Sequence, residues 1–202
     1  LRYSTFCFFT YHPFSLLIVM KKLLQWAVLA FVLALALPLH AQDYHIQLRT
    51  TLDYPGQTLS NICGYAQNGQ EFALVGASKG LSIVDVTNPE NIFEIVQIPG
   101  PNNRWREIKT YGHYAYVTTE GGGGVQIVDL SGLPGSNLMY HSYTDSGQLN
   151  NIHALHIDIT KGILYTYGGN QTVALAHDLN QDPYNPVYLG RFDQLGYVHD
   201  GY

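Results

Sequence analysis

One short unit occurs three times in this chain: a strand-forming run, a glycine-rich turn, a second strand-forming run and an aspartate. The copies occupy residues 71–89, 114–131 and 163–180, and the closing aspartates are Asp85, Asp129 and Asp178. The unit therefore repeats after 44 and then 49 residues. β-Branched and aliphatic residues favour a half-buried strand, whereas glycine and Asn-Pro interrupt it. A period in the forties with several short strands in each repeat is typical of β-propeller blades.

Further strand-forming runs lie between these units and give each blade four strands. The inner strands are predicted over residues 59–65, 106–110 and 154–159, and the outer strands over 93–98, 138–143 and 187–192. Tyr197 to Asp200 opens a fourth blade. We predict an all-β, β-propeller-like array of about three and a half four-stranded blades, forming an incomplete ring, after an N-terminal helical signal segment. Propellers close with about four to eight blades. We therefore interpret the sequence as an N-terminal fragment, the alternative being that partner chains complete the ring.

Residues 20–41 have the three parts of a secretory signal. Met20-Lys21-Lys22 supplies a basic start, residues 23–37 an apolar run, and Ala41 a small residue at the expected cleavage site. A membrane span is the less favoured reading, because the run is marginal for the roughly 20 residues that a bilayer requires. Residues 1–19 precede the expected initiator methionine and are interpreted as upstream translation. The predicted organisation is thus a signal peptide over 20–41 and a partial propeller domain over 42–202, which is secreted or held at the cell surface.

The composition of the processed chain limits its partners. Loss of Arg2, Lys21 and Lys22 with the leader leaves seven basic residues against 15 acidic ones, a formal charge of −8. Without a basic cluster, nucleic acid and anionic lipid are poor candidates. Cys63 remains as a single cysteine, so no internal disulfide can form, and we expect it to act as a small buried hydrophobe.

Several motifs carry a resemblance to known repeats. Leu81 to Asp85 (LSIVD) and Val125 to Asp129 (VQIVD) resemble LVIVD repeats. An ordered series of five motifs over residues 59–202 is similar to the choice-of-anchor B family: EFALVG at 71–76, DVTNP at 85–89, WREIK at 105–109, YAY at 114–116 and YVHD at 197–200. This resemblance implies a secreted bacterial β-propeller-like domain that is usually followed by a variable surface-sorting segment. It implies no known reaction.

Polar residues stand at the start of successive inner strands. Arg106 and His153 are 47 residues apart, and His153 and His199 are 46 apart. Because inner strands run side by side around a propeller axis, these side chains are expected to converge at one mouth of the channel, with Asp200 and Glu120 beside them. Imidazole and carboxylate groups are good ligands for divalent ions. The predicted ligand-binding set is therefore Arg106, Glu120, His153, His199 and Asp200, with His153, His199 and Asp200 as a possible site for a divalent metal ion.

The same residues have a structural alternative, since polar groups at strand starts often bond to neighbouring loops and organise contacts between blades. The repeat aspartates are expected to accept local backbone N–H bonds rather than to catalyse. We predict no catalytic residue. The favoured function is a non-catalytic scaffold that binds an extracellular protein or glycan, and the alternative is a metal-assisted hydrolase at the channel mouth. A purely structural role in surface assembly is a third possibility.

Overall fold

The computed structural model describes residues 20–29, 31, 46–169 and 173–202. It divides the chain into two compact units, Leu1–Gln47 and Leu48–Tyr202. In the first unit, residues 20–29 and 31 are helical. Within the described ranges, no helix has the length and the hydrophobicity needed to cross a bilayer. Residues 1–19 and most of the second half of the predicted signal segment lie outside the described residues.

The second unit consists of three four-stranded antiparallel sheets, in each of which the strands follow one another in chain order. The first sheet contains β1 (Leu59–Gln67), β2 (Gln70–Ala77), β3 (Gly80–Asp85) and β4 (Phe93–Pro99). The second contains β5 (Arg106–Tyr111), β6 (Tyr114–Thr119), β7 (Val125–Asp129) and β8 (Tyr140–Tyr143). The third contains β9 (Ala154–Asp158), β10 (Ile163–Tyr167), β11 (Ala174–Asp178) and β12 (Val187–Phe192). The all-β prediction and the division into four-stranded repeats are confirmed.

The three sheets share one register at the repeat aspartates. Each aspartate ends the third strand of its sheet and lies opposite a residue early in the second strand, in the pairs Phe72 with Asp85, Tyr114 with Asp129 and Ile163 with Asp178. Each carboxylate also accepts the backbone N–H two residues further on, at 2.9, 2.8 and 2.8 Å from Thr87, Ser131 and Asn180. The expected structural role of these aspartates is confirmed, because such a bond fixes the turn that ends the strand.

Two hydrophobic cores hold the sheets together. The first lies between the first and second sheets, and the second between the second and third. Consecutive residues of β6 take part in different cores, since Val117 belongs to the first and Tyr116 to the second. This alternation is the period of two that a strand buried on both faces requires. Cys63 is half-buried against the first core, and burial raises the pKa of its thiol.

The first strand of each sheet is an inner strand, as predicted. β1 lies against β5, and β5 lies against β9. The fourth blade, by contrast, contributes no strand: residues 193–202, all of which the structure describes, have no regular secondary structure. They run beside the third sheet instead, where the ring of Tyr202 is 5.7 Å from that of His156. A strand needs a neighbour to pair its backbone groups. The residues predicted to open a fourth blade therefore form an irregular segment that does not pair with a strand.

Candidate functional site

A cleft of about 470 Å³ opens where the inner strands begin. Its lining comes from the first two sheets and from the residue that precedes the third: Leu59, Ser60, Asn61, Trp105, Arg106, Glu107 and His153. The first three residues belong to β1, Trp105 directly precedes β5, Arg106 and Glu107 begin β5, and His153 directly precedes β9. The starts of the inner strands thus converge on one opening, as the sequence predicts. The volume is in the range of small-molecule sites.

Trp105 forms the aromatic part of the cleft. Its backbone N–H donates to Oδ1 of Asn103 at 2.7 Å, which fixes the chain just before β5. The guanidinium carbon of Arg104 lies 5.0 Å from the ring centroid, a distance that suits a cation–π contact. Trp105 nevertheless remains 49% exposed. An indole that is half exposed at the edge of a cleft offers a ready surface to a ligand.

Glu107 connects the first two sheets within the cleft. Its Oε1 accepts from Nζ of Lys109 at 2.7 Å and from Nδ2 of Asn61 at 3.4 Å. The Asn61 side chain is oriented further by its own Oδ1, which accepts the N–H of Ile62 at 2.7 Å. The carboxylate is thus balanced by an ammonium group and bonded to an amide. The result is a polar surface without unbalanced charge at this point of the cleft.

Arg106 is buried, with 4% of its surface exposed. Its Nε donates to the carbonyl of Ala77 at 2.7 Å, and its Nη2 donates to the carbonyls of Ser78 at 3.3 Å and of Pro101. Burial lowers the pKa of the guanidinium from its ordinary value. These bonds run from the second sheet to the end of β2 and to the loop after β4. For Arg106, the structure therefore favours the structural alternative over direct ligand binding.

Three of the five predicted site residues come together at His153. Its Nδ1 is 2.6 Å from Oε1 of Glu120, which follows β6, and its ring centroid is 4.1 Å from that of His199. The backbone at Glu120 is held by Asn151, whose Nδ2 donates to the Glu120 carbonyl at 2.8 Å. A carboxylate on Nδ1 fixes the imidazole and makes Nε2 the nitrogen that can accept from a ligand.

Asp200 does not join this group. Its Oδ1 accepts the N–H of Gly201 at 2.8 Å, and the carboxylate lies near the phenol of Tyr167. The pKa of Tyr167 is raised to about 12, first by burial and then by the charges of Tyr165 and Asp200. In the described part of the chain, no group of three or more His, Cys, Asp or Glu residues is arranged to hold a metal ion. The predicted set of His153, His199 and Asp200 therefore does not form such a group.

Five residues of the cleft lining were not among the predicted site residues: Leu59, Ser60, Asn61, Trp105 and Glu107. Asn61 and Glu107 could have been found by a simple signal, since Asn61, Glu107, His153 and His199 succeed one another at intervals of 46 residues. The sequence analysis instead placed His153 at the position of Arg106, 47 residues earlier. In the structure Arg106 begins β5 opposite Thr119, whereas His153 precedes β9, in which Ala154 lies opposite Tyr167. Residues of both series, Asn61 and Glu107 as well as Arg106 and His153, line the cleft because the inner strands begin there.

A serine motif lies next to the cleft without forming a nucleophile site. Residues 76–80 read Gly-Ala-Ser-Lys-Gly, which matches the G-x-S-x-G pattern. A nucleophile elbow requires a strand followed by a helix. Here the motif forms the hairpin between β2 and β3, and Oγ of Ser78 accepts the N–H of Thr58 at 3.4 Å. The serine therefore caps a turn.

A second histidine–carboxylate contact, outside the cleft lining, lies on β11. His177 is fully buried, and its Nε2 is 3.3 Å from Oδ2 of Asp145. The rings of Tyr143 and Tyr188 lie 5.6 and 5.7 Å from the imidazole. Burial lowers the pKa of His177, and the Asp145 carboxylate opposes this effect in part. This contact joins the third sheet to the connection that leaves the second.

The shared register, the inner strands and the common cleft define a β-propeller-like repeat protein. The family model of the LVIVD repeat matches residues 69–97 and 105–145. These matches cover most of β2 to β4 in the first sheet and the whole of the second sheet. The chain therefore carries LVIVD repeats, and the third sheet repeats their register at Asp178. No curated protein and no solved structure gave a match.

Proposed function

We propose that this chain is an exported bacterial domain of the choice-of-anchor B type, which binds an extracellular ligand in the cleft and catalyses no reaction. The observation that carries the proposal is the cleft itself, because Asn61 on β1, Trp105 just before β5 and His153 just before β9 all line it. Binding sites of repeat proteins form where equivalent positions of successive repeats meet. The signal-like segment over residues 20–41 supports export.

The contacts among the cleft residues favour binding over catalysis. Glu107 bonds to Lys109, Glu120 bonds to His153, and the guanidinium of Arg106 bonds to carbonyl groups. Polar side chains that are held in this way present fixed donors and acceptors, so their ordering on ligand binding costs little conformational entropy. The hydrolase alternative required a metal held by His153, His199 and Asp200, and these residues do not form a three-ligand group.

Photo-crosslinking from the cleft tests this proposal. The full chain is expressed with a benzophenone amino acid in place of Asn61, exposed to the producing cells and their medium, and irradiated. A matched variant carries the same group in place of Tyr140, which is 43% exposed on the outer strand β8. We expect one discrete adduct from position 61 and none from position 140. Equal labelling from both positions, or no adduct from position 61, would contradict a binding role for the cleft.

A further inference from the structure

We infer that the ligand of this cleft is a neutral carbohydrate, with one sugar ring stacked on Trp105. This inference rests on the proposed function and names the class of ligand that the cleft residues recognise. Three features support it: the internal partners of the charged lining residues, the half-exposed indole, and side chains that can donate to or accept from hydroxyl groups.

The charged side chains that line the cleft, Arg106 and Glu107, already have partners within the protein. The carboxylate of Glu107 has Lys109 at 2.7 Å, and the carboxylate of Glu120 is bonded to His153 at 2.6 Å. The buried guanidinium of Arg106 directs its donors to backbone carbonyls. A charged ligand such as a phosphate, a sulfate or a basic peptide loses hydration when it binds. To offset that loss, the cleft would need a side chain of the opposite charge that has no partner within the protein. The cleft therefore favours a ligand that is polar but uncharged.

The indole of Trp105 supplies the apolar part of recognition. Arg104 lies over the ring at 5.0 Å, and about half of the residue's surface remains exposed. The C–H face of a sugar ring is apolar while its edges carry hydroxyl groups, so it matches an aromatic surface bordered by polar side chains. An apolar ligand would leave those polar side chains without partners, which costs binding energy.

The polar side chains suit hydroxyl groups. Asn61 uses one N–H of its amide on Glu107, and a second N–H remains on the same nitrogen for a ligand oxygen. His153 has Nδ1 engaged by Glu120, which leaves Nε2 to accept. Ser60 donates to the carbonyl of Gly76 at 3.2 Å and keeps its oxygen lone pairs. A sugar hydroxyl both donates and accepts, so it can satisfy all three groups at once.

The test measures glycan binding by the full chain and by three variants. An array that displays neutral, uronate-containing and sulfated oligosaccharides identifies the preferred class, and calorimetric titration with the best-bound sugar gives its affinity. Trp105→Ala removes the stacking surface, and Asn61→Ala removes the amide. Tyr140→Ala is the matched control, because Tyr140 is an aromatic residue of similar exposure on an outer strand. Far-ultraviolet circular dichroism and thermal melting verify that each variant is folded.

We expect neutral oligosaccharides to bind, with affinity at least about tenfold lower in Trp105→Ala, which is the loss that removal of an aromatic stacking contact gives. Asn61→Ala should also bind more weakly, and Tyr140→Ala should bind as the unaltered chain does. Binding confined to uronate-containing or sulfated sugars, or equal affinity in Trp105→Ala, would overturn the inference. Absence of glycan binding together with a discrete crosslink from position 61 would overturn it while leaving the proposed function intact. Absence of both would overturn both.

Discussion

The imidazole rings of His153 and His199 lie with their centroids 4.1 Å apart, although 46 positions separate the two residues in the chain. His153 precedes the inner strand β9, and His199 follows the third sheet. The contact forms because the chain, after completing one four-stranded sheet, returns to the same end of the inner strands. Asn61 and Glu107, also 46 positions apart, meet in the same way between the first and second sheets.

Arg106 is expected to be the main polar connection between the first two sheets. Arg106→Met would leave the carbonyls of Ala77, Ser78 and Pro101 without their donor, and should lower the free energy of unfolding by roughly 3 kcal/mol. Urea denaturation measures the change. Arg104→Met is the matched control, because Arg104 is exposed and only two positions away. Similar losses in the two variants would show that the buried guanidinium has no special structural role.

The repeat aspartates should contribute similar amounts to the stability of the protein, because each accepts the same backbone N–H bond two residues further on. Asp129→Ala removes the acceptor for the N–H of Ser131 and should lower the free energy of unfolding by about 1 kcal/mol, and Asp178→Ala should have a similar effect. Asp129→Asn keeps an oxygen acceptor and should retain most of the stability. Chemical denaturation of the three variants is the measurement. A loss in Asp129→Asn as large as in Asp129→Ala would indicate that the charge, rather than the turn bond, matters.

His177 should make the protein less stable in acid. Burial lowers its pKa in the folded state below the ordinary 6.5, so the unfolded chain binds the proton more readily. The stability that the neutral imidazole provides is present above pH 6.5 and is lost as the pH falls from that value toward the folded-state pKa. Denaturation midpoints measured from about pH 8 to about pH 5 should therefore decrease with acidification, and His177→Gln should decrease less steeply.

The control for this pH dependence is His113→Gln, since half of the His113 side chain is exposed. It should retain the acid sensitivity of the unaltered chain. An unchanged slope in His177→Gln would show that another group controls the loss of stability. Asp145, which contacts the imidazole, would be the first group to replace.

Export should remove the leader at Ala41. We expect the protein recovered outside the cytoplasm to begin at Gln42, as measured by intact mass and N-terminal sequencing. Ala41→Phe should block this cleavage, because the residue before the cut must be small. Material recovered outside the cytoplasm that still begins at Met20 would contradict the predicted signal peptide.

Much of the fold could be predicted because strand patterns are local. The outer strand over 187–192 occurs as the sequence predicts, and the inner strand predicted over 106–110 is only one residue longer in the structure. β8 is shorter than predicted: Leu138 is buried in the first core, yet the strand begins only at Tyr140. The apolar pattern identifies residues that are buried but cannot tell a buried loop residue from a strand residue. A ladder depends on the partner strand, and that information is not local.

The site could be predicted only in part for the same reason. The spacing of the histidines correctly located the start of the inner strands, where His153, His199 and Glu120 meet. It could not tell which partner each polar group would take. The carbonyl acceptors of Arg106 at Ala77 and Ser78 lie 29 and 28 positions earlier in the chain, and backbone carbonyls have no sequence signature.

The central claim is that the chain returns to the starts of the inner strands each time it completes a sheet. The most direct measurement is a nuclear Overhauser cross-peak between the ring protons of His153 and His199 in the full chain, with the two signals assigned from His153→Gln and His199→Gln variants. Ring centroids 4.1 Å apart predict a strong cross-peak. Assigned ring signals that share no cross-peak would contradict this return of the chain after the third sheet.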